Sequence, residues 1–128
     1  MQVVNASVRD IKNGPGYIPS HSVIFVINKA AVYKAKQTIN LFKKLPVFEN
    51  KLILGVPIEE FKTLWKYHPA KVLNLIEQAD SFIFANSLLK IGSDFEETLR
   101  GLIYKEKKPV YSEKGLRGDF KLYFEERL

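Results

Sequence analysis

The chain has 128 residues, 46% of them hydrophobic, and carries a formal net charge of +6. That length suits a single domain with a real core, and nine Phe and six Tyr argue against disorder. The absence of cysteine excludes disulfides, thiolate catalysis, zinc fingers and iron–sulfur ligation.

From the N-terminus, Val4, Ala6 and Val8 alternate onto one face, which predicts a half-exposed edge strand over residues 2–9. Gly14, Pro15, Gly16 and Pro19 mark a loop, so residues 1–20 read as an edge strand and loop. No basic stretch followed by an apolar core opens the chain, and a signal peptide is not expected. No apolar run approaches the ~20 residues that span a bilayer. The expectation is a cytoplasmic protein with no membrane partner.

The run Ser22–Asn28 holds five consecutive apolar residues, mostly β-branched, and predicts a central strand buried on both faces. Residues 29–45 follow with helical periodicity, Val32, Ala35, Ile39 and Phe42 forming one apolar stripe. Lysines 29, 34, 36, 43 and 44 occupy the rest of that helix, and no acid falls between Lys29 and Phe48. Lys51–Val56 reads as a second buried strand, and Pro57 as the first residue of a helix with Glu59 and Glu60 in its first turn. His68-Pro69 breaks the pattern before another helix over 70–78.

Ser81–Asn86 predicts a third buried strand. Gly92 and Ser93 open a further helix, and Pro109–Ser112 begins a fourth strand. Residues 113–128 read as a C-terminal edge segment, with a strand favoured over Phe120–Phe124. Strands alternating with helices predict a single α/β domain over residues 1–128, built on a mostly parallel sheet of four or more strands. The expected order is 51–56, 22–28, 81–86, 109–112, with helices on both faces, a three-layer sandwich of the flavodoxin-like or Rossmann-like kind. Ligands of such sheets bind beyond the carboxyl ends of the strands where the order reverses. That rule nominates Asn28, Lys29, Asn86 and Ser87, together with the loop that reaches Gly92 and Ser93.

Neither a phosphate-binding P-loop nor a dinucleotide fingerprint is present, and two histidines, His21 and His68, are too few for a histidine metal site. No cofactor and no metal are expected. The stretch Gly92-Ser93-Asp94-Phe95-Glu96 nevertheless places a glycine, a hydroxyl residue and a glutamate at a strand–loop–helix junction. With the strand entry Lys108-Pro109-Val110, it resembles the nucleoside 2-deoxyribosyltransferases and the cytokinin-activating phosphoribohydrolases. The resemblance implies a flavodoxin-like or Rossmann-like fold, cleavage of N-glycosidic bonds, and a catalytic carboxylate at Glu96. It covers residues 79–112, and the Pro-Gly-Gly and the aspartate that precede the motif in those families are replaced by other residues. The spacing Ser93-x-x-Glu96 is equally that of a helix capping box.

Three readings of function stay open. One is a protein that binds a nucleoside or nucleotide derivative, with an N-glycosidase built on Glu96 as its enzymatic form. Another is a basic nucleic-acid-binding protein that contacts phosphates through Lys34, Lys36, Lys43 and Lys44. The third is a non-catalytic interaction module, in which exposed tyrosines such as Tyr67, Tyr104 and Tyr123 mark a dimer interface.

Overall fold

A computed structural model describes residues 21–86, 88 and 94–118. The expected terminal strands at 2–9 and 120–124 lie outside the described residues. Four strands, β1 (Val23–Ile27), β2 (Ile53–Pro57), β3 (Ser81–Phe84) and β4 (Val110–Ser112), form one sheet in the order β2-β1-β3-β4. All three pairings are parallel. Strand β1 leads through a short turn at Lys29–Ala31 into α1 (Val32–Phe42). Strand β2 is followed by α2 (Ile58–Tyr67) and α3 (Pro69–Gln78), and β3 and β4 are joined through α4 (Asp94–Lys105). Residues 113–118 form a helical stretch, α5. The sequence reading assigned no helix there, yet the side chains of Glu113 and Arg117, one turn apart, close an ion pair at 2.7 Å.

The register shows how the layers form. Gly55, Phe25, Ile83 and Tyr111 stand in one row across the sheet. Alternate strand residues face opposite ways, so this row marks one face and its neighbours Val26 and Phe84 the other. Helix α1 covers the first face: Phe42 meets Phe25 edge-on with ring centroids 5.4 Å apart. On the opposite face the Arg100 guanidinium of α4 lies 4.0 Å from the Phe84 ring centroid. Trp65, Leu73 and Leu102 line one groove, which places α2 and α3 beside α4 on that side. Every residue of β1, β2 and β3 is buried, so the continuous apolar runs follow from a sheet covered on both faces.

One boundary differs from the sequence reading, at Pro57, and the expected break at His68 is present. Pro57 is the last residue of β2 and the N-cap of α2, one step before the first helical position. Strand β2 ends the order of the described sheet, where a missing backbone N–H is tolerated. His68 separates α2 from α3 with φ −143° and ψ 63°, the extended-side backbone that a following proline favours.

Gly55 sits beneath α1, where a Cβ would meet Ile27 Cδ1 and Ile39 Cδ1 at 3.6 Å and Ala35 Cβ at 3.7 Å. These are ordinary contact distances, so one methyl fits and a larger side chain does not. Gly55→Ala should leave stability unchanged or raise it by up to ~1 kcal/mol through a stiffer unfolded chain. Gly55→Leu should cost about 1–3 kcal/mol by overpacking. Urea denaturation of the two variants checks this, and equal losses in both would show that α1 leaves no room at this position.

Candidate functional site at the strand-order reversal

Strands β1 and β3 are neighbours, and their chains leave in opposite directions across the sheet. A cleft of about 520 Å³ opens over their carboxyl ends, on the α1 face. Phe25, Ile27 and Ala85 form its floor, Asn28 and Asn86 its two strand exits, and Tyr33, Lys34 and Thr38 its α1 wall. Glu113 and Arg117 of α5 close the far side. The cleft therefore lies where the strand order alone places a site.

Its polar groups are tied to one another. Glu113 Oε1 accepts the Asn86 backbone N–H at 3.0 Å, and Oε2 accepts from Arg117 Nε at 2.8 Å. Arg117 Nη2 reaches the Thr38 hydroxyl at 3.3 Å, linking α5 to α1 across the opening. The Glu113 side chain is 13% exposed against 45% for Arg117, so the carboxylate is the fixed member and the guanidinium faces solvent. The arrangement offers a cation, a hydroxyl and amide groups around a partly apolar floor, the usual composition of a site for a small polar ligand.

The start of the α1 segment is already satisfied. Asn28 Oδ1 accepts the Ala30 N–H at 3.1 Å, and the Asn28 carbonyl accepts the Ala31 N–H at 2.8 Å. Both carboxylate oxygens of Glu59, from the first turn of α2, take the Lys29 N–H at 3.0 and 3.2 Å. A negative charge from the protein thus occupies the position where a helix start would attract a phosphate. The Lys29 side chain is exposed and does not line the cleft.

The expected residues divide accordingly. Asn28 and Asn86 meet at the cleft; Ser87, Gly92 and Ser93 lie outside the described residues. Glu96 stands in the first turn of α4 with its side chain 16% exposed, and Oε2 takes Arg100 Nε at 3.3 Å. Its Oε1 is buried and meets no hydrogen-bond partner among the described residues. Because Arg100 rests on Phe84, the Glu96–Arg100 pair belongs to the α4 face, and Glu96 does not line the cleft. Among the described residues no group of three or more His, Asp or Glu side chains is arranged to hold a metal ion. None of the described helices is long and apolar enough to cross a membrane.

Thr38, Glu113 and Arg117 were not singled out from the sequence. The only local signal was the four-residue spacing of Glu113 and Arg117, which fits a helical ion pair on any surface. No family model, no curated protein and no solved structure matches the chain.

The two oxygens of Glu113 carry separable duties. Glu113→Ala leaves the Asn86 N–H without its acceptor and should cost about 1–3 kcal/mol. Glu113→Gln keeps a carbonyl oxygen for Asn86 and loses only the half-exposed charge pair, a loss under ~1 kcal/mol. Denaturation midpoints measure both, and identical losses would show that Asn86 does not depend on this carboxylate.

Proposed function

We propose that this chain binds a nucleoside or nucleotide derivative in the cleft over β1 and β3. The observation that carries the reading is the coincidence of the cleft with the reversal of strand order, where open parallel sheets take their ligands. Its volume of about 520 Å³ lies within the range of small-molecule sites. The wall chemistry matches the parts of such a ligand. Tyr33 offers a ring on which a base stacks, Asn28, Asn86 and Thr38 supply hydrogen-bonding groups, and Arg117 with Lys34 faces a phosphate. Such ligands are met in the cytoplasm, a compartment that suits a chain without cysteine.

Binding is better supported than cleavage. An N-glycosidase of the deoxyribosyltransferase kind would need a carboxylate at the sugar, and Glu96 faces the α4 side of the sheet with one oxygen already on Arg100. Glu113 is at the cleft, but both of its oxygens are engaged. What favours the enzymatic form is the buried Glu96 Oε1, which meets no hydrogen-bond partner among the described residues, since a carboxylate in that state is unusual unless a further group meets it.

Two measurements separate these forms. Calorimetric titration with nucleosides and nucleoside monophosphates should show binding that Arg117→Ala weakens by about tenfold or more for the monophosphates, the value of one charge-assisted contact. Nucleosides lacking the phosphate should lose far less. The same panel incubated with wild type and Glu96→Gln, scored for free base, tests the chemistry. Base release abolished in Glu96→Gln would establish a glycosidase, and the absence of binding to any ligand of the panel would overturn the reading altogether.

A further inference from the structure

The wall that borders the cleft belongs to a helix of unusual charge. Lys29, Lys34, Lys36, Lys43 and Lys44 are all exposed, while Ala35, Thr38, Ile39 and Phe42 are buried against the sheet. At 100° per residue, Lys36 in α1 and Lys43 at its C-cap fall within about 20° of one another, a row ~10 Å long, and Lys29 stands on the short turn before the helix. Among the other described helices the signs mix: α2 carries Glu59 and Glu60 with Lys62 and Lys66, and α4 carries Asp94 and Glu97 with Lys105. Glu59 meets the chain before α1, at the Lys29 N–H, so the positive charge concentrates from Lys34 to Lys44.

The row and the cleft meet at Tyr33, which lies ~60° around α1 from Lys36 and ~100° from Lys34. Lys34 and Tyr33 both line the cleft, Tyr33 is 74% exposed, and Lys34 Nζ lies 5.5 Å from the centroid of its ring. An exposed aromatic ring with cations beside it is the arrangement on which an unstacked base settles while its phosphates follow the lysines. The helix carries no arginine, so it lacks the bidentate fork that reads base edges in a duplex groove. Its exposed arc is polar apart from Tyr33, which leaves little apolar area to enter a bilayer.

We propose that the ligand of the cleft is one nucleotide of a single-stranded polynucleotide, the backbone of which runs along the lysine row of α1. This rests on the reading of the cleft as a nucleotide site and extends it to the class of molecule that presents the nucleotide. Recognition along the row is independent of sequence, because lysines contact phosphates as point charges.

The test uses fluorescence anisotropy of the full chain with a labelled oligo-dT of about ten nucleotides, a span one such site covers. Thymidine monophosphate is measured in parallel by calorimetry, and vesicles containing phosphatidylserine by co-sedimentation. The oligonucleotide should bind more tightly than the monophosphate. With four phosphates neutralised on a single strand, its affinity should fall about 50-fold between 50 and 200 mM salt. Lys36→Glu with Lys43→Glu, neither of which lines the cleft, should weaken the oligonucleotide at least tenfold and leave the monophosphate unchanged. Circular dichroism confirms that the double variant folds.

An oligonucleotide that binds no better than the monophosphate, or is insensitive to the double variant, overturns the inference while the cleft reading stands. Oligonucleotide binding without any binding or competition by the monophosphate overturns both, since the strand then lies on α1 without entering the cleft. Lysine-dependent binding of the vesicles with none of the oligonucleotide also overturns it, in favour of an anionic membrane surface.

Discussion

Strand β1 has no polar face. Val23 to Ile27 are all buried, and the strand pairs in parallel with β2 on one side and β3 on the other. Removing five consecutive apolar side chains from water, at roughly 1.5–3 kcal/mol each, requires cover above and below and a neighbour along both edges. That requirement sends one connection to β2 and a later one back across to β3. The two exits, at Asn28 and Asn86, are then left beside each other with no crossover between them. The cleft is the geometric remainder of burying β1, and its position is set before any polar residue is chosen.

What fills the mouth of that remainder is a set of charges that hold each other. Glu113 fixes the Asn86 backbone and carries Arg117, and Arg117 reaches Thr38 on the opposite wall. Glu59 similarly fixes Lys29 from α2. Both carboxylates act on backbone amides at strand exits. The loops that would bind a ligand are therefore anchored by carboxylates from other elements, a form of preorganisation that lowers the ordering cost of binding. Arg117 is the half-exposed member of its pair, and it can turn to an anionic ligand without unfastening Asn86 from Glu113.

The fold was largely legible in the chain because the signals were local and strong. The apolar runs within 22–28, 51–56 and 81–86 each name a buried strand, and the helical stripe of Ala35, Ile39 and Phe42 names the covering helix. The parallel order followed from their alternation. That Asn28 and Asn86 flank one cleft was legible by the same topological rule. Glu113 and Arg117 were not, because their partners lie 27 and 79 positions away and only folding brings them together. Glu96 stands half-buried at the edge of the α4 stripe of Phe95, Leu99 and Ile103. Its turn toward Arg100 and Phe84 depends on which face of the sheet α4 covers, which helical periodicity alone does not determine. The lysines of α1 were visible as a charged helix; that Tyr33 and Lys34 border the cleft required the packed structure.

We propose the reversal between β1 and β3 as the place where this protein meets its ligand. Backbone amide resonances followed by NMR during titration with thymidine monophosphate test it most directly. Shifts should cluster at Asn28 to Ala31, Thr38, Ala85, Asn86 and Glu113, with the groove around Trp65 and Leu73 unchanged. Shifts confined to that α2–α3–α4 groove, or none at saturating nucleotide, would contradict the claim.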